Sequence, residues 1–146
     1  MAKRKERILI VLDTNVFVIG FRNKYPQSAI SRIWRLWLRR DLQLAISPEI
    51  AQEYEEILDR LGVDPGLLNE FIRELPTRET VTWIYLGRRI KIERDPDDEI
   101  ILSTADSAQA KYLVTLDKDL LELPWAERRR FKFEIVTPAQ FLERIT

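Results

Sequence analysis

The hydrophobic pattern along the chain predicts short strands alternating with helices. Ile8–Leu12 is an unbroken apolar run rich in β-branched residues, which is typical of a strand buried on both faces inside a parallel sheet. Similar runs predict strands at 42–46, 80–84, 111–115 and 133–136. A second stretch, Arg89-Ile90-Lys91-Ile92, competes with 80–84 for the third strand.

Helical periodicity fills the intervals between these runs. Apolar residues recur at helical spacing between 29 and 40. Ser47 followed by Pro48 predicts a helix start, since serine is a good N-cap and proline suits the first helical position; this helix stops near Gly62. Further helices are predicted from 64–65 to about 75, after Asp97 and Asp98 to about 109, and at 138–145.

Strands alternating with helices indicate βαβ units. The fold class is therefore α/β, with a mostly parallel central sheet and helices on both of its faces. The chain has 146 residues and shows no internal repeat, low-complexity tract or linker. We therefore expect one domain over 1–146.

Composition restricts the available chemistry. The chain contains no Cys and no His, which excludes disulfides, thiolate or imidazole metal ligands and Ser-His-Asp catalysis. Its 24 basic and 24 acidic residues cancel, whereas a dedicated duplex binder is usually strongly basic. An enzyme built from this chain must rely on carboxylates, hydroxyls, amides, Lys, Arg or a bound ion.

The N-terminal segment is basic, but Asp13 interrupts the apolar run that follows it. That run is too short for a signal peptide, and no stretch is long enough to span a membrane. We expect a cytoplasmic protein with no membrane partner.

Acidic residues collect where an open α/β sheet places its site, at the carboxyl ends of the strands. Asp13 directly follows the first strand, and Asp117 follows the strand at 111–115, with Asp119 two residues further on. Asp95, Asp97 and Asp98 cluster at the start of the helix that leads into that strand. A single Asp is more often a cap or turn residue, but a charge that ends a wholly apolar strand is hard to explain as a solvated loop residue.

Glu53 shares its helix with three other glutamates. At about 100° per residue, the apolar stripe of this helix centres between Tyr54 and Ile57, and Glu53 lies at its edge. We expect Glu53 to be partly buried and aimed inward, while Glu49, Glu55 and Glu56 point further away. An ordinary boundary glutamate explains the same pattern equally well.

Carboxylates gathered in one cleft repel each other, so a cation among them is expected. Without imidazole or thiolate, the ion that fits is hard and oxygen-loving, namely Mg²⁺ or Mn²⁺. One or two such ions can activate a water and neutralise the charge that develops on a phosphodiester.

Five short motifs occur along the chain in a fixed order. They are Leu12-Asp13-Thr14-Asn15-Val16-Phe17, Ser47-Pro48-Glu49-Ile50 through Glu53, Asp95-Pro96-Asp97-Asp98, 112–121 around Thr115-Leu116-Asp117-Lys118-Asp119, and Ile135-Val136-Thr137-Pro138. Each motif alone is weak, but their order and spacing are specific. Together they resemble the PIN domain family from Ile8 to Leu142, in particular the prokaryotic ribonucleases known as toxins of type II toxin–antitoxin pairs.

This resemblance implies a three-layer α/β/α fold and a Mg²⁺- or Mn²⁺-dependent endoribonuclease. Asp13, Glu53, Asp98 and Asp117 match the four acidic positions that bind the metal and carry catalysis. Asn15 and Thr115 match supporting polar positions, and Asp119 a secondary acidic one. Gln109-Ala110-Lys111 stands where members often have Gly-Ala-Asp, a departure that affects a turn and leaves the acids intact.

An RNA substrate needs local positive charge near the acids. Lys118, Arg22 and Lys24 are weak candidates for nucleic-acid contacts, as are Arg39 and Arg40, whereas the run Arg128–Arg130 is better explained as a solvated helix face. Trp34, Trp37 and Trp83 are better explained as core or interface residues than as base-stacking platforms. The family resemblance also implies a cognate antitoxin and a homodimer.

Three alternatives compete with the nuclease. A haloacid-dehalogenase-like phosphatase needs an Asp two residues after the first, where this chain has Asn15. A receiver domain fits neither the order of the acids nor an inward Glu53. A catalytically silent module that keeps the fold and binds nucleic acid or protein stays open.

Overall fold

Five short strands form one sheet in the computed structural model, which describes residues 6–87, 90 and 96–146. The strands are β1 Ile8–Leu12, β2 Leu42–Ile46, β3 Val81–Trp83, β4 Tyr112–Val114 and β5 Glu134–Val136. They lie in the order β3-β2-β1-β4-β5, and every neighbouring pair is parallel. All five predicted strands are confirmed, and most of the competing stretch 89–92 lies outside the described residues.

Helices flank the sheet, and the predicted three-layer α/β/α architecture is confirmed. The helices are α1 Thr14–Arg22, α2 Ala29–Leu38, α3 Pro48–Arg60, α4 Pro65–Glu74, α5 Pro96–Ala108, α6 Lys118–Leu121, α7 Trp125–Arg128 and α8 Pro138–Ile145, with a 3₁₀ turn at Leu75–Thr77. Helix α3 begins as predicted, because the Ser47 hydroxyl accepts the Ile50 N–H at 3.2 Å and Pro48 occupies the first position. The sequence pattern predicted neither α1 nor the two four-residue helices α6 and α7.

Strand β1 lies at the centre of the sheet, and its neighbours fix where the chain leaves it. Ile8 pairs with Leu42 of β2, and Leu12 pairs with Val114 of β4. Strands β1 and β4 therefore end side by side, so residues 102 positions apart in sequence meet just beyond that edge.

Helix α1 packs on α2 at very short range. A Cβ placed on Gly20 would lie 1.8 Å from Trp34 Cδ1, so only glycine fits there. Phe17 contacts the rings of both Trp34 and Trp37 in the same layer. Both tryptophans are buried, and Trp83 packs partly buried against the core, which agrees with their prediction as core residues.

The turn after α5 contains the departure from the family pattern noted above. Gln109 has a φ of 54°, in the left-handed region that glycine adopts without strain. Ala110 is buried behind it and leads into β4. The departure therefore acts on the geometry of this turn, as predicted.

Candidate active site

Asp13 lies at the junction of β1 and α1. Its backbone N–H donates to the carbonyl of Val114 at 2.9 Å, which continues the β1–β4 ladder by one residue. Its side chain caps α1, because Oδ1 accepts the Thr14 N–H at 2.9 Å. Asp13, the charged residue that ends the first strand, is thus also the N-cap of α1.

One hydroxyl joins Asp13 to Asp117. Thr115 Oγ1 donates to Asp13 Oδ2 at 2.7 Å and accepts the Asp117 N–H at 2.9 Å. Asp117 in turn caps α6 by accepting the Asp119 N–H at 2.9 Å. Because Thr115 is fully buried, this chain of hydrogen bonds fixes both carboxylates at the edge of β1 and β4.

Electrostatics make Asp13 a costly residue to ionise. Burial raises the pKa of its carboxyl above the ordinary value, and the negative charge of Asp117 adds to the increase. The hydrogen bonds from Thr115 and Thr14 lower this pKa and offset part of the increase. No lysine or arginine of the described segments forms an ion pair with Asp13.

Glu53 lies on α3 within electrostatic range of Asp13. Burial raises its pKa, the Thr14 hydroxyl lowers it, and the charges of Asp97 and Asp13 raise it further. The Thr14 hydroxyl is buried and forms no hydrogen bond of ordinary geometry among the described groups. A buried hydroxyl therefore lies beside Glu53 with hydrogen-bonding capacity to spare.

Partial burial alone does not single out Glu53, contrary to the sequence argument. Glu49 and Glu55 are half-buried as well, and only Glu56 of the four is exposed. What distinguishes Glu53 is its proximity to Asp13 and Asp97. Helix α4 packs on α3, so the apolar stripe of α3 alone does not determine which of its glutamates are covered.

Helix α5 supplies two further acids from its first turn. The helix begins at Pro96, so Asp97 and Asp98 lie inside it and do not precede it as expected. Acidic groups are favoured there by the helix dipole. Asp98 is only 8% exposed, and Asp97 is exposed and close enough to raise the pKa of Glu53. Asp95 lies outside the described residues.

The carboxylates do not form a closed cage. Within the described ranges, no three acidic side chains converge closely enough to make a ready metal-binding group. Their chemistry still suits a hard cation, because every donor is oxygen. Mg²⁺ in particular is usually held by one or two carboxylates and several waters, so an open arrangement does not conflict with it.

The remaining predicted residues divide into two groups. Asn15, Lys118 and Asp119 are exposed in the first turns of α1 and α6, next to the capping aspartates. Arg22 and Lys24 lie at the far end of α1, about 13 Å along the helix axis from Asp13. The structure therefore brings the first group to the acidic edge and leaves the second group away from it.

Tyr54 is a residue that sequence reasoning treated only as core. Its ring stacks on Phe17 with centroids 3.9 Å apart, and its hydroxyl donates to the Leu12 carbonyl at 2.5 Å. Tyr54 follows Glu53 in α3, and Leu12 of β1 precedes Asp13. This hydrogen bond therefore links the two segments that carry Glu53 and Asp13. The apolar stripe predicts its burial, but no sequence signal predicts the partner of its hydroxyl.

Comparisons with known proteins agree with this architecture. The family model described as "PIN domain" matches residues 9–119, which include Asp13, Glu53, Asp98 and Asp117. No curated protein matches the chain. No helix in the described parts of the chain is long and apolar enough to cross a membrane.

Two solved structures share the fold. The first is the crystal structure of VapBC2 from Rickettsia felis, bound to a DNA fragment from the VapBC2 promoter. Its TM-score is 0.56 at 18% sequence identity, and the match covers 89% of this chain and 98% of that chain. The second is the sarcin–ricin loop cleaving toxin VapC20 from Mycobacterium tuberculosis, with a TM-score of 0.55, 14% identity and coverage of 77% and 92%. Because the family model spans most of the sequence and the fold agrees, this chain belongs to the PIN domain family.

Proposed function

We propose that this protein is a Mg²⁺- or Mn²⁺-dependent endoribonuclease, acting as the toxin of a toxin–antitoxin pair. The observation that carries the proposal is the hydrogen-bonded link Asp13–Thr115–Asp117, with Glu53 near Asp13, in a chain that belongs to the PIN domain family. The VapC20 neighbour, a toxin that cleaves an RNA loop, supports RNA as the substrate class.

Asp13, Glu53, Asp98 and Asp117 would hold the metal. When bound, such an ion supplies acidity to a water and neutralises charge on a phosphodiester. The chain itself keeps Asp13 in place with two hydrogen bonds, one to each carboxylate oxygen. Each of these oxygens retains a second lone pair for a ligand.

Hydrolysis adds a water oxygen to phosphorus, breaks one P–O ester bond and moves a proton to the departing oxygen. The chain has no histidine, so the carboxylates at this edge are the bases nearest to the attacking water, and one that does not bind the ion would accept the proton of that water. Asn15, Asp119 and the exposed Lys118 flank the site as supporting and phosphate-contacting groups.

A cleavage assay tests the proposal. Labelled single-stranded RNA is incubated with the protein and Mg²⁺ or Mn²⁺, and we expect EDTA, Asp13→Asn and Glu53→Gln each to reduce cleavage at least about 100-fold. Glu56→Gln is the matched control, since it makes the same change two residues after Tyr54 on an exposed part of α3. Equal cleavage by Asp13→Asn and wild type would contradict the assignment.

The second candidate is a silent binding module that keeps the fold. It is favoured by the open arrangement of the acids, because no three acidic side chains of the described residues converge closely enough to hold a metal ion. Binding without cleavage across a broad RNA panel, with both metals, would establish this module and exclude the nuclease.

The toxin role and the partners are tested in cells and in solution. We expect expression of the chain alone to arrest growth, and co-expression of a small neighbouring gene to relieve the arrest. The VapBC2 complex supports an antitoxin partner, and we extend the proposal to a homodimer and to one domain over 1–146. Analytical ultracentrifugation of the purified chain checks the dimer, and a single cooperative unfolding transition checks the domain.

A further inference from the structure

Trp125 is a large apolar side chain that the fold leaves in solvent. It is 73% exposed at the start of α7, while Trp34 and Trp37 are buried in the core. The guanidinium of Arg129 lies 5.3 Å from the centroid of its ring, so the exposed ring has a cationic partner.

The surroundings of Trp125 are positively charged. The segment 125–132 contains four cations and a single carboxylate, in a protein whose overall charge is zero. Arg128 is partly buried and donates to the Leu121 carbonyl, so it is a structural residue. Arg129, Arg130 and Lys132 are exposed and available to an anionic ligand.

This surface is connected to the acidic edge through α6. Asp117 caps α6, and the Leu121 N–H donates to the Asp117 carbonyl at 3.0 Å. Arg128 then fastens α7 to the last residue of α6. The backbone from Asp117 to Trp125 spans at most about 20 Å, a distance that a few nucleotides of single strand can cover.

We propose that Trp125 and Arg129 form a stacking platform for an unpaired base of the RNA whose backbone crosses the acidic edge. An exposed ring beside cations is the combination that binds single strands, because every base has a face that can stack. Bases of a duplex are already stacked, and a neutral protein gains little from duplex phosphates, so the ligand is single-stranded. The inference rests on the proposed function, and it names the form of RNA that this site accepts.

The test measures binding separately from cleavage. Anisotropy of a fluorescein-labelled single-stranded RNA is followed in EDTA with wild type, Trp125→Ala, Trp125→Phe and Tyr85→Ala. Tyr85 is the matched control, since it is 75% exposed and follows β3 at the opposite edge of the sheet. We expect Trp125→Ala to weaken binding about 5- to 100-fold, and Trp125→Phe and Tyr85→Ala to change it less than about 3-fold.

A second readout reports direct contact. RNA stacked on Trp125 quenches its emission, so we expect the quench in wild type to disappear in Trp125→Phe although that variant still binds. Equal affinities for Trp125→Ala and Tyr85→Ala, or no RNA binding by wild type, would overturn the inference. A Trp125→Ala variant that changes the sedimentation coefficient but not RNA affinity would identify a protein interface and would equally overturn it.

The two proposals fail in different ways. If Asp13→Asn abolishes cleavage while Trp125→Ala binds and cleaves like wild type, the nuclease stands and the platform falls. If Trp125→Ala loses RNA binding but neither wild type nor any variant cleaves RNA, the platform stands and the nuclease falls.

Discussion

Charged side chains form ion pairs at the amino-terminal end of the sheet, whereas acidic side chains lie near other acidic side chains at its carboxyl end. At the amino-terminal end, Arg7 and Arg40 each approach Glu79 to 3.4 Å, and all three groups reach solvent. At the carboxyl end, Asp13 and Glu53 have pKa values raised by burial and by other acids, and neither pairs with a cation among the described residues. The ion pairs at the amino-terminal end offset the charges there. At the carboxyl end, the carboxylates are partly buried and repel one another, and a bound cation would relieve that repulsion.

The largest expected effect is the loss of RNA cleavage when Thr115 is substituted. Thr115→Val removes the hydroxyl that joins Asp13 to Asp117 while keeping the shape of the side chain, so RNA cleavage should fall about 10- to 100-fold. Thr82→Val is the control at β3, where the hydroxyl accepts a hydrogen bond from Gln43 at 3.2 Å, and its activity should match wild type. Equal losses in both variants would show that the effect is general destabilisation.

A smaller effect is expected at Tyr54. Tyr54→Phe keeps the stack on Phe17 but leaves the buried Leu12 carbonyl without its donor, so the free energy of unfolding should fall by about 1–3 kcal/mol. Urea denaturation measures this change. Tyr112→Phe is the control, a buried tyrosine in β4 whose change should be under about 0.5 kcal/mol.

The smallest expected effect is on the melting temperature, and it compares the same Glu→Gln change at each end of the sheet. In EDTA at neutral pH, Glu53→Gln should raise the melting temperature by about 1–3 °C, because it removes the cost of burying the carboxylate charge and the repulsion from Asp97 and Asp13. Glu79→Gln should leave it unchanged or lower it slightly, since it loses exposed ion pairs. Changes of the same sign in both variants would contradict the proposed difference between the two ends.

The same comparison has a pH dependence with a definite sign. The folded pKa of Glu53 lies above the ordinary value of 4.5, so the folded state holds the proton more tightly than the unfolded state. Stability in EDTA should therefore fall as pH rises from about 4.5 through the folded pKa, and this contribution should be absent in Glu53→Gln. Urea titrations of both proteins across that window measure the difference.

Sequence periodicity predicted the sheet and the longer helices but not α1. Its sequence contains Val16, Val18 and Ile19, which favour strands, and Gly20, which disfavours helices. Burial of Phe17 and Gly20 against α2 outweighs these preferences, and packing of that kind cannot be read from one segment. Helices α6 and α7, with four residues each, are too short to show a period.

The candidate site was predicted as residue types at strand ends, and the structure adds their connections. Asp13 and Asp117 follow neighbouring strands, so their proximity follows from topology. The bridging role of Thr115 was expected only as a supporting position, and the roles of Thr14 and Tyr54 depend on contacts between distant segments. Such contacts are fixed by tertiary packing, which the linear pattern does not contain.

Calorimetric titration with Mn²⁺ tests most directly whether the carboxyl end of the sheet is a metal site. We expect wild type and Glu79→Gln to bind the ion with the same affinity, and Asp13→Asn to lose at least about 10-fold in affinity. Binding of Mn²⁺ by Asp13→Asn as tightly as by wild type, or no binding by wild type in the presence or absence of RNA, would contradict the account.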